Sequence, residues 1–316
     1  MLGLSGGYGS NNQALAKSTK HEAGDKNIQA PGYYKFKLGE FTITIISDGS
    51  FQLPAASLGA NVPEAQVNAF LKSNLADTTS YTAHTNSCII DTGKKVILVE
   101  AGAGSSFSKT TGMFDHNLKS AGYSHDEIDM VVFTHAEPDN IWGVLGESKS
   151  GLRFPKATYY INSTEWDHWM QEDLEKKAPD NIAKTLEKTR KALSLIASKS
   201  NRIKSDEELV AGVKAIDTSG HTKGHISLVI KSLKETMIIS GDTLYHPYVS
   251  FEHPEWHMAG DMDPEKAVAS RKALLDRAIA EEALLLGFHL PFPGIGRVAR
   301  NSKNYRWFPE IWKWEV

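Results

Sequence analysis

VVFTHAEPDN, residues Val131–Asn140, leaves a short apolar run at Thr134 and then sets His135, Glu137 and Asp139 at alternate positions. The run begins earlier, as IDMVVFT from Ile128 to Thr134, and reads as a buried strand. A loop at the C-terminal end of a strand can turn alternate side chains toward one point. An imidazole and two carboxylates gathered there suit a divalent cation, because borderline and hard cations accept both ligand types. On its own HxExD is weak, since it also arises by chance. Three further segments strengthen it. DTSGHTKGHISLVI (Asp217–Ile230) puts His221 in a glycine-bounded turn directly before a strand. MIISGDTLYHP (Met237–Pro247) puts Asp242 behind Gly241 at a strand end, and LLLGFHLPFPG (Leu284–Gly294) puts His289 after another apolar run. Ligands carried on several strand ends can converge on one edge of a sheet.

The text around these segments is β-rich in two batches. YYKFKLGEFTITIISDGSFQLP, starting at Tyr33, alternates in a strand-like way, with turn signals at Leu38-Gly39 and Asp48-Gly49. SCIIDTGKKVILVEAG predicts two more strands about Asp91-Thr92-Gly93, and PEAQVNAFLKSN between them predicts a helix after Pro63. Ser163 to about Arg202 is helical in composition, with a break expected at Ala178-Pro179-Asp180. DPEKAVASRKALLDRAIAEEA is a helix with Asp263 as its N-cap and Pro264 at its first position. Strands in two batches, each followed by helices, predict an α/β sandwich of layered sheets.

The chain has 316 residues, 41% hydrophobic and 23% charged, as ordinary globular proteins do. Thirty-five Lys and Arg against 38 Asp and Glu leave a formal charge of −3, without the basic surplus that nucleic-acid binding calls for. No stretch approaches the roughly 20 apolar residues of a membrane span. The single cysteine, Cys88, excludes an internal disulfide and reads as a packed, inert thiol. GAGSS (Gly102–Ser106) is not a GxSxG elbow, and GxxxxGK[ST] is absent. Residues 1–30 are rich in Gly, Ser, Asn and Lys and predict a flexible tail, with 31–316 as a single domain. Ala14-Leu15-Ala16 is like an export-cleavage site but has no apolar segment before it, so cytoplasmic and periplasmic readings both stand.

The order HxExDN, GHTKGH, GD and a late His resembles the metallo-β-lactamase superfamily, whose pattern is HxHxDH, a His in a GHTxGH turn, an Asp after GD, and a late His. The likeness runs from about residue 33 over nearly the whole chain. APGYYKFKLGEFTITIISDGSF (Ala30–Phe51) and GFHLPFPGIGRV (Gly287–Val298) are most like the methyl parathion hydrolase and lactonase-like branch. The resemblance implies a four-layer αββα sandwich with one or two divalent ions, zinc first and iron or manganese as alternatives. One ion would take His135, Glu137 and His221, and a second Asp139 and His289. Asp242 would bridge them, with a hydroxide between, and Asp139 and Asp242 would be the catalytic carboxylates. Two residues depart from the pattern. Glu137 stands where the family has its second His, as in the iron-binding flavodiiron branch, and Asn140 replaces the last His, a doubtful ligand that would weaken the second site. Only 27 residues follow His289, too few for a flavodoxin module.

The implied activity is metal-dependent hydrolysis of an ester-like small-molecule substrate: a lactone (acyl-homoserine lactones included), an aryl ester or an organophosphate triester. A catalytically impaired ligand-binding protein and an iron-dependent redox variant are the alternatives, and the family resemblance also implies a homodimer. His225 is expected behind the site and Glu100 beside a loop or ligand. His246, His253 and His257 are candidates for the pocket mouth. Trp142, Trp166, Trp169, Phe251 and Phe292 are candidates for an aromatic wall.

Overall fold

Sequence order and spatial order nearly coincide in the two sheets at the centre of the fold. In the computed structural model, which describes residues 32–146, 151–172, 174 and 180–316, the strands form two seven-stranded sheets. The expected tail, residues 1–30, and the expected break at Ala178-Pro179 lie outside the described residues. The first sheet runs β1 (Tyr33–Leu38), β2 (Phe41–Pro54), β3 (Ser80–Asp91), β4 (Val96–Val99), β5 (Met130–Val132), β6 (Thr158–Asn162) and β7 (Ser200–Ile203). Its first four strands are antiparallel, and β4 to β7 are parallel. The second sheet holds β8 (Glu208–Val210), β9 (Val213–Asp217), β10 (Ile226–Ser232), β11 (Glu235–Ile239), β12 (Leu284–Leu286), β13 (Ile295–Asn301) and β14 (Asn304–Pro309), in that order across the sheet. Only β11 and β12 pair in parallel there.

Period-two alternation sorts the apolar side chains into three layers of core. Cys88, Ile90, Ile97, Val99, Met130 and Val132 of the first sheet meet Ala215, Leu228, Ile230, Met237, Leu284 and Leu286 of the second. The residues between them, Ile89, Leu98 and Val131, point the other way. They pack under α2 (Phe114–Ser120), α3 (Pro138–Ile141) and α5 (Asp180–Ile196), with α1 (Glu64–Ser73) and α4 (Ser163–Trp169) preceding in chain order. Val229, Ile238 and Leu285 face Leu274, Leu275 and Ala278 of α7 (Pro264–Ala280), which follows the short α6 (Val249–Glu252). Helices therefore cover both outer faces of a sheet pair, and the result is the αββα sandwich. Because both faces are covered, strands such as β4 and β5 read as continuous apolar runs. Asp263 caps α7 by accepting from the Lys266 N–H at 3.1 Å, as expected. Cys88 is buried between the sheets, the packed thiol that its apolar run suggested.

Asp48-Gly49 is not a turn. It lies in β2, where the pairing with β3 slips between Ser47 and Ser50 as a bulge, and Gly49 takes φ +117°. The Asp48 carboxylate is buried and accepts from the N–H groups of Ala103, Gly104, Gly112 and Phe114 at 2.7 to 3.0 Å. Burial pushes its pKa up, against those hydrogen bonds, which favour the charged form. The segment 101–114 is held in this way over the end of the sandwich and carries Phe107 toward the cavity described next.

Candidate metal centre

Four connections end on one edge of the sandwich. His135 follows β5, and Glu137 and Asp139 bracket the first residue of α3. His221 lies between β9 and β10, Asp242 follows β11, and His289 follows β12. The structure brings together all six side chains that the sequence singled out. One ligand atom from each of His135, Glu137, His221 and Asp242 lies within 4.8 Å of the others. His135 Nε2 is 3.7 Å from Asp242 Oδ2, and His221 Nε2 is 3.4 Å from Glu137 Oε2 and 3.5 Å from Asp242 Oδ2. Asp242 also reaches the second pair, with His289 Nε2 at 2.9 Å, and His289 in turn is 3.5 Å from Asp139 Oδ2.

Buried polar atoms are normally hydrogen-bonded. Here Asp139 Oδ2, Asn140 Oδ1, His221 Nε2 and Asp242 Oδ1 are buried without a hydrogen-bond partner among the described residues. Orphaned nitrogen and carboxylate oxygens converging on one point are a donor set that fits a divalent cation. His135, Glu137, His221 and Asp242 would hold one ion, and Asp139, His289 and Asp242 a second.

Each imidazole is steered from its far side. His289 Nδ1 donates to the His84 carbonyl at 2.7 Å, and His221 Nδ1 lies 3.0 Å from Asp261 Oδ1. His135 Nδ1 is 3.0 Å from Thr134 Oγ1. In all three cases Nε2 is left for the centre, the usual arrangement behind a metal-binding His. Asp261 is in turn held by the Tyr245 hydroxyl at 3.0 Å and by the buried Arg271 guanidinium at 3.4 Å. His225 lies behind the centre, as expected. Its Nδ1 faces Thr218 and its Nε2 accepts from the Asp242 N–H at 3.0 Å, fixing the backbone of the shared carboxylate. Burial, with His135 and His221 adding to it, holds His225 well below the usual imidazole range, so it stays a neutral acceptor. Gly241 has φ +52°, and a Cβ there would come within 2.6 Å of His225 Nε2, which explains the glycine. Glu100 also orients a loop: its Oε1 accepts from the Thr134 N–H at 2.8 Å, and burial pushes its carboxyl up to about 7.

Asn140 is turned inward, with Nδ2 3.1 Å from His135 Nε2, where the amide competes for the nitrogen a metal would use. Asn140→His is expected to raise metal content toward two equivalents in protein purified without chelator, measured by mass spectrometry. Unchanged content would show that position 140 does not supply the second ion.

Electrostatics point the same way. Burial is the largest single influence and lowers the His135 and His289 imidazoles, but the neighbouring carboxylates together outweigh it, Asp242 with Glu137 at His135 and Asp242 with Asp139 at His289, and both are raised to about 9. Burial likewise opposes ionisation of Glu137, yet His221 and His135 pull it well below the usual carboxylate range. A metal needs neutral imidazoles, so near neutral pH it must displace these protons. Apparent metal affinity is therefore expected to rise with pH up to about 9. Calorimetric titration in buffers of different ionisation enthalpy should detect proton release near pH 7. Binding with no proton release there would contradict these shifts.

The centre forms the floor of a cavity of about 830 Å³. Its walls include Phe51, Leu53, Tyr81, Phe107, Trp169 and Met258. Of the five aromatics expected there, only Trp169 lines it. Trp142 donates from Nε1 to Thr189 Oγ1 at 3.0 Å, and Trp166 lies against the Arg202 guanidinium. Phe251 is in the core under α7, where it stacks on Trp307, and Phe292 packs at the rim of the between-sheet core. His246, His253 and His257 also lie away from the lining. His246 meets the edge of Tyr81, His253 stacks on Trp256, and His257 pairs with Glu265. Sequence reading missed Glu165 and Asp261, whose partners at the centre are remote in the chain, and His168, a lining residue whose Nδ1 is buried without a hydrogen-bond partner among the described residues.

Comparison with known proteins agrees with this fold. The family model for the metallo-beta-lactamase superfamily matches residues 81–289. Among solved structures, AidC, a dizinc quorum-quenching lactonase in complex with the product N-hexanoyl-L-homoserine, is 28% identical with a TM-score of 0.83. The alignment covers 89% of this chain and 98% of that one. The hydrolase AbOPH of the beta lactamase superfamily is 31% identical, also at a TM-score of 0.83, over 90% of this chain and all of that one. No curated protein sequence gives a significant match.

Proposed function

The chain belongs to the metallo-β-lactamase superfamily, and from that premise we propose that it is a metal-dependent hydrolase of neutral, largely apolar ester-like substrates, lactones first. The observation that carries this reading is the set of orphaned ligand atoms at the floor of an apolar cavity. A divalent ion bound there would bring the pKa of water toward neutrality and polarise the carbonyl or phosphoryl oxygen of the substrate, making its carbon or phosphorus more electrophilic. Asp242 joins the two ligand groups and fixes their separation. Asp139 Oδ2, buried and without a hydrogen-bond partner beside His289, is placed to take the proton of the attacking water and pass it to the leaving group. Phe51, Phe107 and Trp169 offer an acyl chain or aryl group a surface that excludes water. The cavity lining among the described residues includes no Lys or Arg, which favours a neutral lactone, aryl ester or phosphotriester over the anionic β-lactams. AidC, a lactonase by its description, supports the lactone as first choice.

The test is metal content of protein purified without chelator, followed by turnover of an acyl-homoserine lactone, an aryl ester and a phosphotriester. One to two equivalents of zinc, manganese or iron, with ring opening fastest among the three, is the expected result. A metal-free protein that takes up none on reconstitution would instead be a ligand-binding member of the fold, the reading to which Asn140 lends weight.

A further inference from the structure

Glu165 lies in α4 and is fully buried. Its two oxygens receive four hydrogen bonds from three separate segments. Oε1 accepts from the Ala136 N–H at 3.0 Å and from Trp169 Nε1 at 2.6 Å. Oε2 accepts from the Thr222 hydroxyl at 2.7 Å and from the Gly224 N–H at 2.9 Å. Ala136 stands between His135 and Glu137, and Thr222 follows His221. One carboxylate therefore grips the two loops that carry three of the four clustered residues, His135, Glu137 and His221, together with a tryptophan of the cavity wall. The α4 backbone is pressed against the His221 turn: a Cβ on Gly224 would come within 2.2 Å of Glu165 N. No cation lies within ion-pair distance of this carboxylate among the described residues, and its oxygens are satisfied by hydrogen bonds from neutral donors.

We propose that Glu165 is a positioning residue: it sets the spacing between the His135–Glu137 loop and the His221 turn, and hence the fit of the centre to its metal. This rests on the metal-dependent reading above. A carboxylate can accept all four bonds, whereas a glutamine of the same shape has one oxygen and an NH2 that donates. With its oxygen kept toward Ala136 and Trp169, the NH2 of Glu165→Gln would face Thr222 and Gly224. The Thr222 hydroxyl can reverse and accept. The Gly224 N–H cannot, and it would be left opposite another donor. The damage is thus aimed at the turn that holds His221.

The test uses Glu165→Gln and the milder Thr222→Val, which removes one of the four bonds. Amide hydrogen exchange on metal-free protein reads the grip itself, and faster exchange at Gly224 in Glu165→Gln is expected, with α7 unchanged. Zinc affinity from chelator competition should fall about 10- to 100-fold in Glu165→Gln and less in Thr222→Val. The visible spectrum of the cobalt-loaded protein should shift in Glu165→Gln, a change that mere loss of stability would not produce. Wild-type affinity and spectrum in a folded Glu165→Gln protein, with zinc bound normally by the unmodified chain, would overturn the proposal. An unmodified chain that binds no zinc would instead overturn the metal reading, and the exchange data would still decide whether Glu165 holds the two loops.

Discussion

Asp242→Ala is expected to retain no divalent metal through desalting and to lose hydrolysis to the uncatalysed background. The carboxylate is within 3.7 Å of His135 and 3.5 Å of His221, and within 2.9 Å of His289. Among the described residues no other side chain is recorded this close to both ligand groups. Its removal takes one donor from each group and leaves three imidazoles facing one another. The same carboxylate is a principal cause of the raised His135 and His289 imidazoles. Without it burial is opposed by less, and both rings should titrate lower, which histidine NMR shifts would follow against pH. Metal content and lactone turnover check the main effect. A variant that kept its metal and its turnover would remove Asp242 from the mechanism.

Arg271→Ala is expected to have the largest effect on stability, about 3–5 kcal/mol. Arg271 is 1% exposed and is satisfied on all sides. Nε donates to the Thr243 carbonyl, and Nη1 to the carbonyls of Pro254 and Trp256, each at 2.9 Å. Nη2 meets the Tyr245 hydroxyl and Asp261. Truncation leaves a void, three carbonyls short of a donor, and Asp261 as a buried charge without its cation. Because Asp261 orients His221, metal affinity should also fall, by about 10- to 100-fold. Thermal and urea unfolding with and without zinc separate the two effects. A stability loss below about 1 kcal/mol would show that Arg271 is not the support described.

The layered fold was legible because the first strands alternate and buried ones such as β4, β5 and β12 are short continuous apolar runs. The six converging side chains were legible for a related reason: each sits within a few residues of a strand end. Glu165 and Asp261 carried no such mark. Their hydrogen bonds join residues 29 and 40 positions apart, and neither stands at the end of a strand. In DMDP only Asp263 carried a local signal, as the helix cap, and nothing in the text marked Asp261 two residues earlier. Asp48-Gly49 was misread because a turn dipeptide is a local signal, whereas its conformation is set by four amides some 55 to 66 residues away. The aromatic wall was misassigned because tryptophan and phenylalanine fill cores and cavities alike, and only packing separates the two.

Each sheet is woven from one uninterrupted portion of the chain, Tyr33–Ile203 for the first and Glu208–Pro309 for the second. The candidate ligands divide evenly along that seam, with His135, Glu137 and Asp139 on one side and His221, Asp242 and His289 on the other. Neither portion holds a complete set. The centre therefore works as a logical conjunction, assembled only when both portions have folded and docked. In a chain whose single cysteine is buried and free, a bound ion would add its own bonds to the apolar core that joins the two portions, so loading the site would report on docking of the halves as directly as catalysis does.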